Sequence, residues 1–315
     1  MPNSQVAHRR VVRWANVAIL ITVALGGMVC ATDSSSACPA WPVCYSDQVA
    51  PALRAGWLEN PVIEFVHRFI SFAGLVLLGV AGWMGRRSPD ARLRVFPWVA
   101  LACGVGSAVF GMMIILFTLP LGLGLLDLAF ALIAMALIAV TDASLRHVHP
   151  ATSAAAPRRL AGVTLVLLFA MHLLGSVVAG NTTAGTGSFT RCLSWPLWQV
   201  HDIDRFPQLQ VLRIVMAATA VVLIAAIVAL SARRPGLRGP AGAVTVSLLL
   251  ELGLGLVITL GGLAPTQTNG IDATIAVTYS AAAVALLWSL AWLTGRATPA
   301  ATEATAVPVP VGKAS

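Results

Sequence analysis

Glu64, His67 and Arg68 stand at i, i+3 and i+4 near the start of an apolar run from Pro61 to Met84. At 3.6 residues per turn they share one helix face. Together they offer a carboxylate for acid–base or electrostatic work, a ring nitrogen for a metal, and a planar fork of donors. Such groups are costly inside hydrocarbon and face a bundle interior or a cavity. A polar cluster that only joins helices would use the same residue types. Asp127 lies at a similar depth in a later apolar run and could flank the same cavity. It could equally be a protonated acid bonded to a neighbouring helix. His172 and Glu251 also fall inside apolar runs, where a helix–helix hydrogen bond is the default role. His147, His149 and His201 fall in loops and read as solvated.

Cys38 and Cys44 share one polar loop with Pro39 and Pro42, so a turn could bring them within bonding reach. On an oxidising side of a membrane such a pair is expected as a disulfide. Cys30 and Cys103 lie within apolar runs and read as packing residues.

The elements that carry these residues are membrane spans. The chain has 315 residues, 58% apolar and 10% charged, against about 25% charged in a soluble domain. Its apolar runs are about 20 residues long, the length of a spanning helix rather than of a barrel strand. The expected class is an all-α polytopic membrane protein with eight spans: 14–32, 61–84, 96–117, 121–140, 160–179, 209–230, 241–263 and 273–293. No cleavable signal is expected. A short amphipathic helix is expected near Ala52 to Leu58. The tail 294–315 is rich in Ala, Thr, Pro and Val and is expected to be disordered. Arg-rich segments alternate with polar loops, which places residues 1–13, the linker 141–159 and the tail on the cytoplasmic side. The charge of +8 is therefore an orientation signal and not a nucleic-acid footprint.

The chain repeats. Leu25-Gly26-Gly27-Met28-Val29 resembles Leu174-Gly175-Ser176-Val177-Val178, and Cys38-Pro39-Ala40-Trp41-Pro42-Val43-Cys44 resembles Cys192-Leu193-Ser194-Trp195-Pro196-Leu197-Trp198. Arg68 then matches Arg213. Four spans per repeat keep the orientation, so residues 14–140 and 160–293 should form two four-helix halves about an axis along the membrane normal.

The Cys loop followed by Glu-x-x-His-Arg, within duplicated four-helix halves, resembles heme A synthase of the bacterial type over about residues 11–293. The resemblance implies a plasma-membrane enzyme that oxidises the C8 methyl of heme O to a formyl group, making heme A for terminal oxidases. It implies a substrate heme in the N-terminal half and a heme b cofactor in the C-terminal half, each between two histidines. His67 stands at the first ligand position, with Glu64 as its catalytic partner and Arg68 suited to a heme propionate. The other three positions fall at Asp127, Leu212 and near Tyr279. The C-terminal half is thus expected to be cofactor-depleted, with His172, Arg213 and Tyr279 as its remaining possible heme contacts. The implied partners are heme O, membrane lipid, heme O synthase, a complete heme A synthase, oxidase assembly factors and a second copy of the chain. A non-catalytic heme-binding or assembly homologue is the alternative. A transporter ranks last, since paired broken helices are missing.

Overall fold

The computed structural model describes residues 2–32, 34–53, 56–117, 121–146, 154–178, 207–263 and 270–299, and no strand occurs among them. Helix α1 (Pro2–Thr32) begins at Pro2 rather than at Trp14. Nothing between Pro2 and Trp14 breaks a helix, and Val12 is wholly buried. Helix α2 (Pro61–Gly85) starts where its local sequence dictates. Asn60 accepts the Val62 amide at 3.1 Å, Pro61 opens the helix, and Glu64 lies in the first turn. Cap, proline and acid all favour an N-terminus there. The Arg-rich stretch that follows is not all loop. Asp90 accepts the Arg92 amide at 2.9 Å and caps a single turn, α3 (Ala91–Arg94).

Helices α4 (Phe96–Phe117), α5 (Leu121–Ser144), α6 (Ala155–Val178) and α7 (Pro207–Ala232) follow. A 3-10 turn at Pro235–Leu237 leads into α8 (Arg238–Leu260), and α9 (Gly270–Arg296) closes the set. Eight helical segments among the described residues are long and apolar enough to cross a membrane. Two further expectations need correction. No helix occurs among the described residues of 52–58, and 56–58 form bends and a turn; the Gly56 carbonyl accepts from the Asn60 side chain at 2.8 Å. The last helix also runs past Leu293, and the Thr298 and Pro299 carbonyls accept from Arg92 at 3.2 and 2.9 Å. The expected disordered tail therefore does not begin at Thr294; residues 300–315 lie outside the described set.

The helices associate in the same pattern in each half. In the first, α1 packs on α2 and α5, and α4 packs on α2 and α5. In the second, α6 packs on α7 and α9, and α8 packs on α7 and α9. The halves meet chiefly along α5 and α9, where Leu132, Met135 and Ile138 share a buried core with Leu287, Leu290 and Leu293. Gly295 permits this approach: a Cβ there would lie 2.8 Å from the Val140 carbonyl oxygen on α5. Small residues at a crossing are how helices come close in a membrane. Phe69, Phe72, Trp83 and Val222 are exposed on the opposite faces, as a lipid-facing surface requires.

Candidate functional site

The first half gathers its polar side chains around the start of α2. Glu64 is 3% exposed, and its Oε1 takes a hydrogen bond from Arg68 Nε at 2.6 Å. Arg68 turns its other nitrogens to the loop that holds Cys38 and Cys44. Its Nη1 donates to the carbonyls of Ala40 at 2.5 Å, Val43 at 3.1 Å and Pro42 at 3.5 Å. Its Nη2 donates to the Cys38 carbonyl at 2.9 Å. The propionate expected for Arg68 would therefore compete with contacts made by the protein itself.

His67 is on the next turn position and faces α1. Its Nε2 lies 3.4 Å from where a Cβ on Gly26 would stand, and its Nδ1 is buried without a hydrogen-bond partner. A buried ring nitrogen without a protein partner suits a ligand's iron or proton. Asp127 on α5 accepts a hydrogen bond from the Ser107 hydroxyl on α4. It lies within electrostatic reach of Glu64. Phe110 on α4 and Phe130 on α5 also pack together, with ring centroids 5.9 Å apart. The structure thus brings Glu64, His67, Arg68 and Asp127 into one half, with the Cys loop at its α2 end.

Cys38 and Cys44 are disulfide-bonded and fully buried. The packing role expected of Cys30 does not hold, because Cys30 is disulfide-bonded as well. It ends a helix beside a polar segment, where a thiol meets solvent more readily than mid-span. Cys103 is a free thiol within α4, as expected.

The second half is built differently. Leu212 is 46% exposed, so it points away from the bundle interior. Arg213 is 7% exposed; its Nη2 lies 3.5 Å from where a Cβ on Gly175 would stand, and its Nη1 donates to Gln210 at 3.2 Å. His172 Nδ1 donates to the Leu168 carbonyl at 2.8 Å. That bond fixes the proton on Nδ1 and leaves a lone pair on Nε2, which is buried and unpartnered. Tyr279 is 8% exposed and within electrostatic reach of Arg213 and Glu251. A heme held by two histidines does not fit the positions of Leu212 and Tyr279. Each half has one buried imidazole nitrogen without a protein partner, on His67 in the first and His172 in the second. Among the described residues no three His, Cys, Asp or Glu side chains cluster as a metal site. Cys192, Trp198, His147, His149 and His201 lie outside the described residues.

Three features of the site carry no readable signal in the sequence. Ser107 is one hydroxyl in a small-residue run, and Gly26, though part of the repeated Leu-Gly stretch, does not show that it makes room for His67. The loop carbonyls that bind Arg68 are backbone groups, present at every residue.

Comparison with known proteins adds a family. Residues 9–291 match the model of the family described as cytochrome oxidase assembly protein. The chain is also 32% identical over 162 residues to a heme A synthase of Chelativorans sp. (strain BNC1). That match covers 47% of this chain and 43% of the relative, so it spans less than half of either protein. With the eight spans, the Cys loop and Glu64-x-x-His67-Arg68 in place, the chain belongs to the cytochrome oxidase assembly protein family, the family of the heme A synthases that its sequence resembles.

Proposed function

We propose that this chain acts in heme A biosynthesis, oxidising the C8 methyl group of heme O to a formyl group. The observation that carries the reading is the buried set in the first half: Glu64 in its ion pair, His67 with an unpartnered ring nitrogen, and Asp127 within electrostatic reach of Glu64. Converting methyl to formyl adds one oxygen from water and releases four protons and four electrons, by mass balance, so the reaction needs an external oxidant, a membrane-soluble electron acceptor, to take the four electrons. Positive charge develops at the reacting carbon, and a fixed carboxylate such as Glu64 stabilises it in a site of low dielectric. His67 supplies a ligand to the substrate iron and thereby fixes the porphyrin's depth. Asp127, held by Ser107, faces the same interior and does not compete as a strong axial ligand. Leu212 and Tyr279 do not fit a bis-histidine heme b, so this reading gives a cofactor heme no role. The implied setting is a bacterial plasma membrane with both termini cytoplasmic, supplied by a heme O synthase and serving terminal oxidase assembly.

The test is expression with a source of heme O in cells that lack heme A, followed by pyridine-hemochrome spectra and chromatography of extracted hemes. Heme A is expected with the wild-type chain and not with His67→Ala or Glu64→Gln. Bound heme with no heme A from the wild type would reject the oxidation and favour a non-catalytic heme-binding homologue.

A further inference from the structure

Arg68 joins two features that the sequence presents as separate, the Cys loop and the acid of α2. A guanidinium has five N–H donors in a fixed plane. Here its Nε donates to Glu64, and its two Nη atoms donate to carbonyls of Cys38, Ala40, Pro42 and Val43. All four carbonyls belong to the loop closed by the Cys38–Cys44 disulfide. That closure matters physically, because a short cross-linked loop has few conformations and its carbonyls stay aimed at one point. Further bonds hold it: the Ala40 amide donates to the Cys44 carbonyl at 3.2 Å, and the Tyr45 hydroxyl donates to the Ala37 carbonyl at 2.8 Å. Both cysteines are fully buried, so a reductant reaches the sulfurs only when the loop opens.

We propose that Arg68 is a positioning residue that couples the disulfide to Glu64: the oxidised loop holds the guanidinium, and the guanidinium holds the Glu64 carboxylate. Opening the disulfide disperses the carbonyls and frees the guanidinium, and Glu64 then loses its fixed place. The redox step is a thiol–disulfide exchange. A dithiol gives two electrons and two protons, the Cys38–Cys44 bond breaks to two thiols, and the dithiol closes to its own disulfide. The coupling is reciprocal, since any state of Arg68 that favours the oxidised loop must be favoured by it to the same extent. This assignment deepens the reading of Glu64 as the reacting-site carboxylate. Its primary readout involves no heme, so it can fail or stand independently of that reading.

The test is a redox titration of the full-length purified protein with dithiothreitol buffers. Thiols are trapped by alkylation and counted at Cys38 and Cys44 by peptide mass spectrometry. Arg68→Gln should make the pair at least tenfold easier to reduce, a rise of about 30 mV in midpoint potential. Arg68→Lys, which keeps the charge and loses the fork, should fall between Gln and wild type. The reverse direction is read in the paired Cys38→Ser, Cys44→Ser variant by infrared difference spectroscopy, with the Glu64 band assigned by its loss in Glu64→Gln. The band should shift when the disulfide is removed in the Arg68 background and should not shift in Arg68→Gln. Equal reduction of the pair in wild type and Arg68→Gln, or a Glu64 band indifferent to the disulfide, would overturn the proposal. If Arg68→Gln does not fold, the Arg68→Lys titration and the Cys-to-Ser spectra still decide it.

Discussion

The indole of Trp288 donates to the side-chain oxygen of Asn16 at 2.8 Å, across the junction of the two halves. Asn16 in turn donates to Asp142 at 3.2 Å, and Asp142 pairs with Arg146 at 2.8 Å. Three helices from both halves, α1, α5 and α9, therefore meet in one buried polar chain. Asn16 is 2% exposed and Asp142 is 3% exposed, so loss of a partner is not made good by water. Asn16→Leu should lower the stability of the purified protein by about 0.5–2 kcal/mol for each bond lost. Thr219→Ala is the matched control, because that hydroxyl is exposed and bonds only within its own helix. The check is tryptophan-fluorescence melting; equal melting of Asn16→Leu and Thr219→Ala would remove the junction's role.

Gly295 gives a steric prediction at the same junction. A Cβ there would stand 2.7 Å from the Ala143 Cβ and 2.8 Å from the Val140 oxygen. Backbone cannot swing aside as a long side chain can, so Gly295→Val forces α5 and α9 apart. Overpacking of this kind costs about 1–3 kcal/mol or more. Gly236 has nothing within 4 Å of such a Cβ, so Gly236→Ala should be nearly silent. Gel-filtration yield in detergent separates the two, and a monodisperse Gly295→Val at wild-type yield would contradict the close approach.

Much of the architecture could be read from the sequence, and the reason is physical. A bilayer demands helices of nearly fixed length, so apolar runs mark spans with little competition from other signals. Where that constraint stops, the reading weakens. The first helix starts at Pro2 because Val12 packs inward, which an amphiphilic, basic segment does not advertise. In the site, ionisable residues inside apolar runs stood out as types. Their partners did not, because Ser107, Gly26 and a set of loop carbonyls acquire meaning only through folding. Arg68 shows the limit most clearly: its residue type suggests an external carboxylate, while its geometry gives it to Glu64 and the Cys loop.

The orientation expected from the alternation of Arg-rich and polar loops is open to direct test. Gln48, in the Cys-loop segment, is exposed, and so is Gly236, beside Arg233, Arg234 and Arg238. Gln48→Cys should react with a membrane-impermeant maleimide on intact cells, and Gly236→Cys should react only after lysis. Labelling of Gly236→Cys in intact cells would invert the topology and with it the oxidising setting of Cys38 and Cys44.

The last prediction concerns where heme sits. If the second half kept a cofactor heme between two histidines, position 212 would need an inward-facing ligand. It holds a leucine with 46% of its surface exposed. The neighbouring Arg213 points inward instead, beside Gly175, the counterpart in the repeat of the Gly26 that makes room for His67. Tyr279 is buried and can bind ferric iron singly, which favours a high-spin state ill-suited to quick electron transfer. The purified protein should therefore carry at most one heme per chain. That heme should be lost in His67→Ala and retained in Tyr279→Phe, as measured by pyridine-hemochrome stoichiometry. The competing site is defined by His172, whose Nε2 lone pair is buried and free of protein partners. Heme that survives His67→Ala and disappears in His172→Ala would place the bound heme in the second half, with a single relocated ligand, and would move the proposed chemistry away from Glu64.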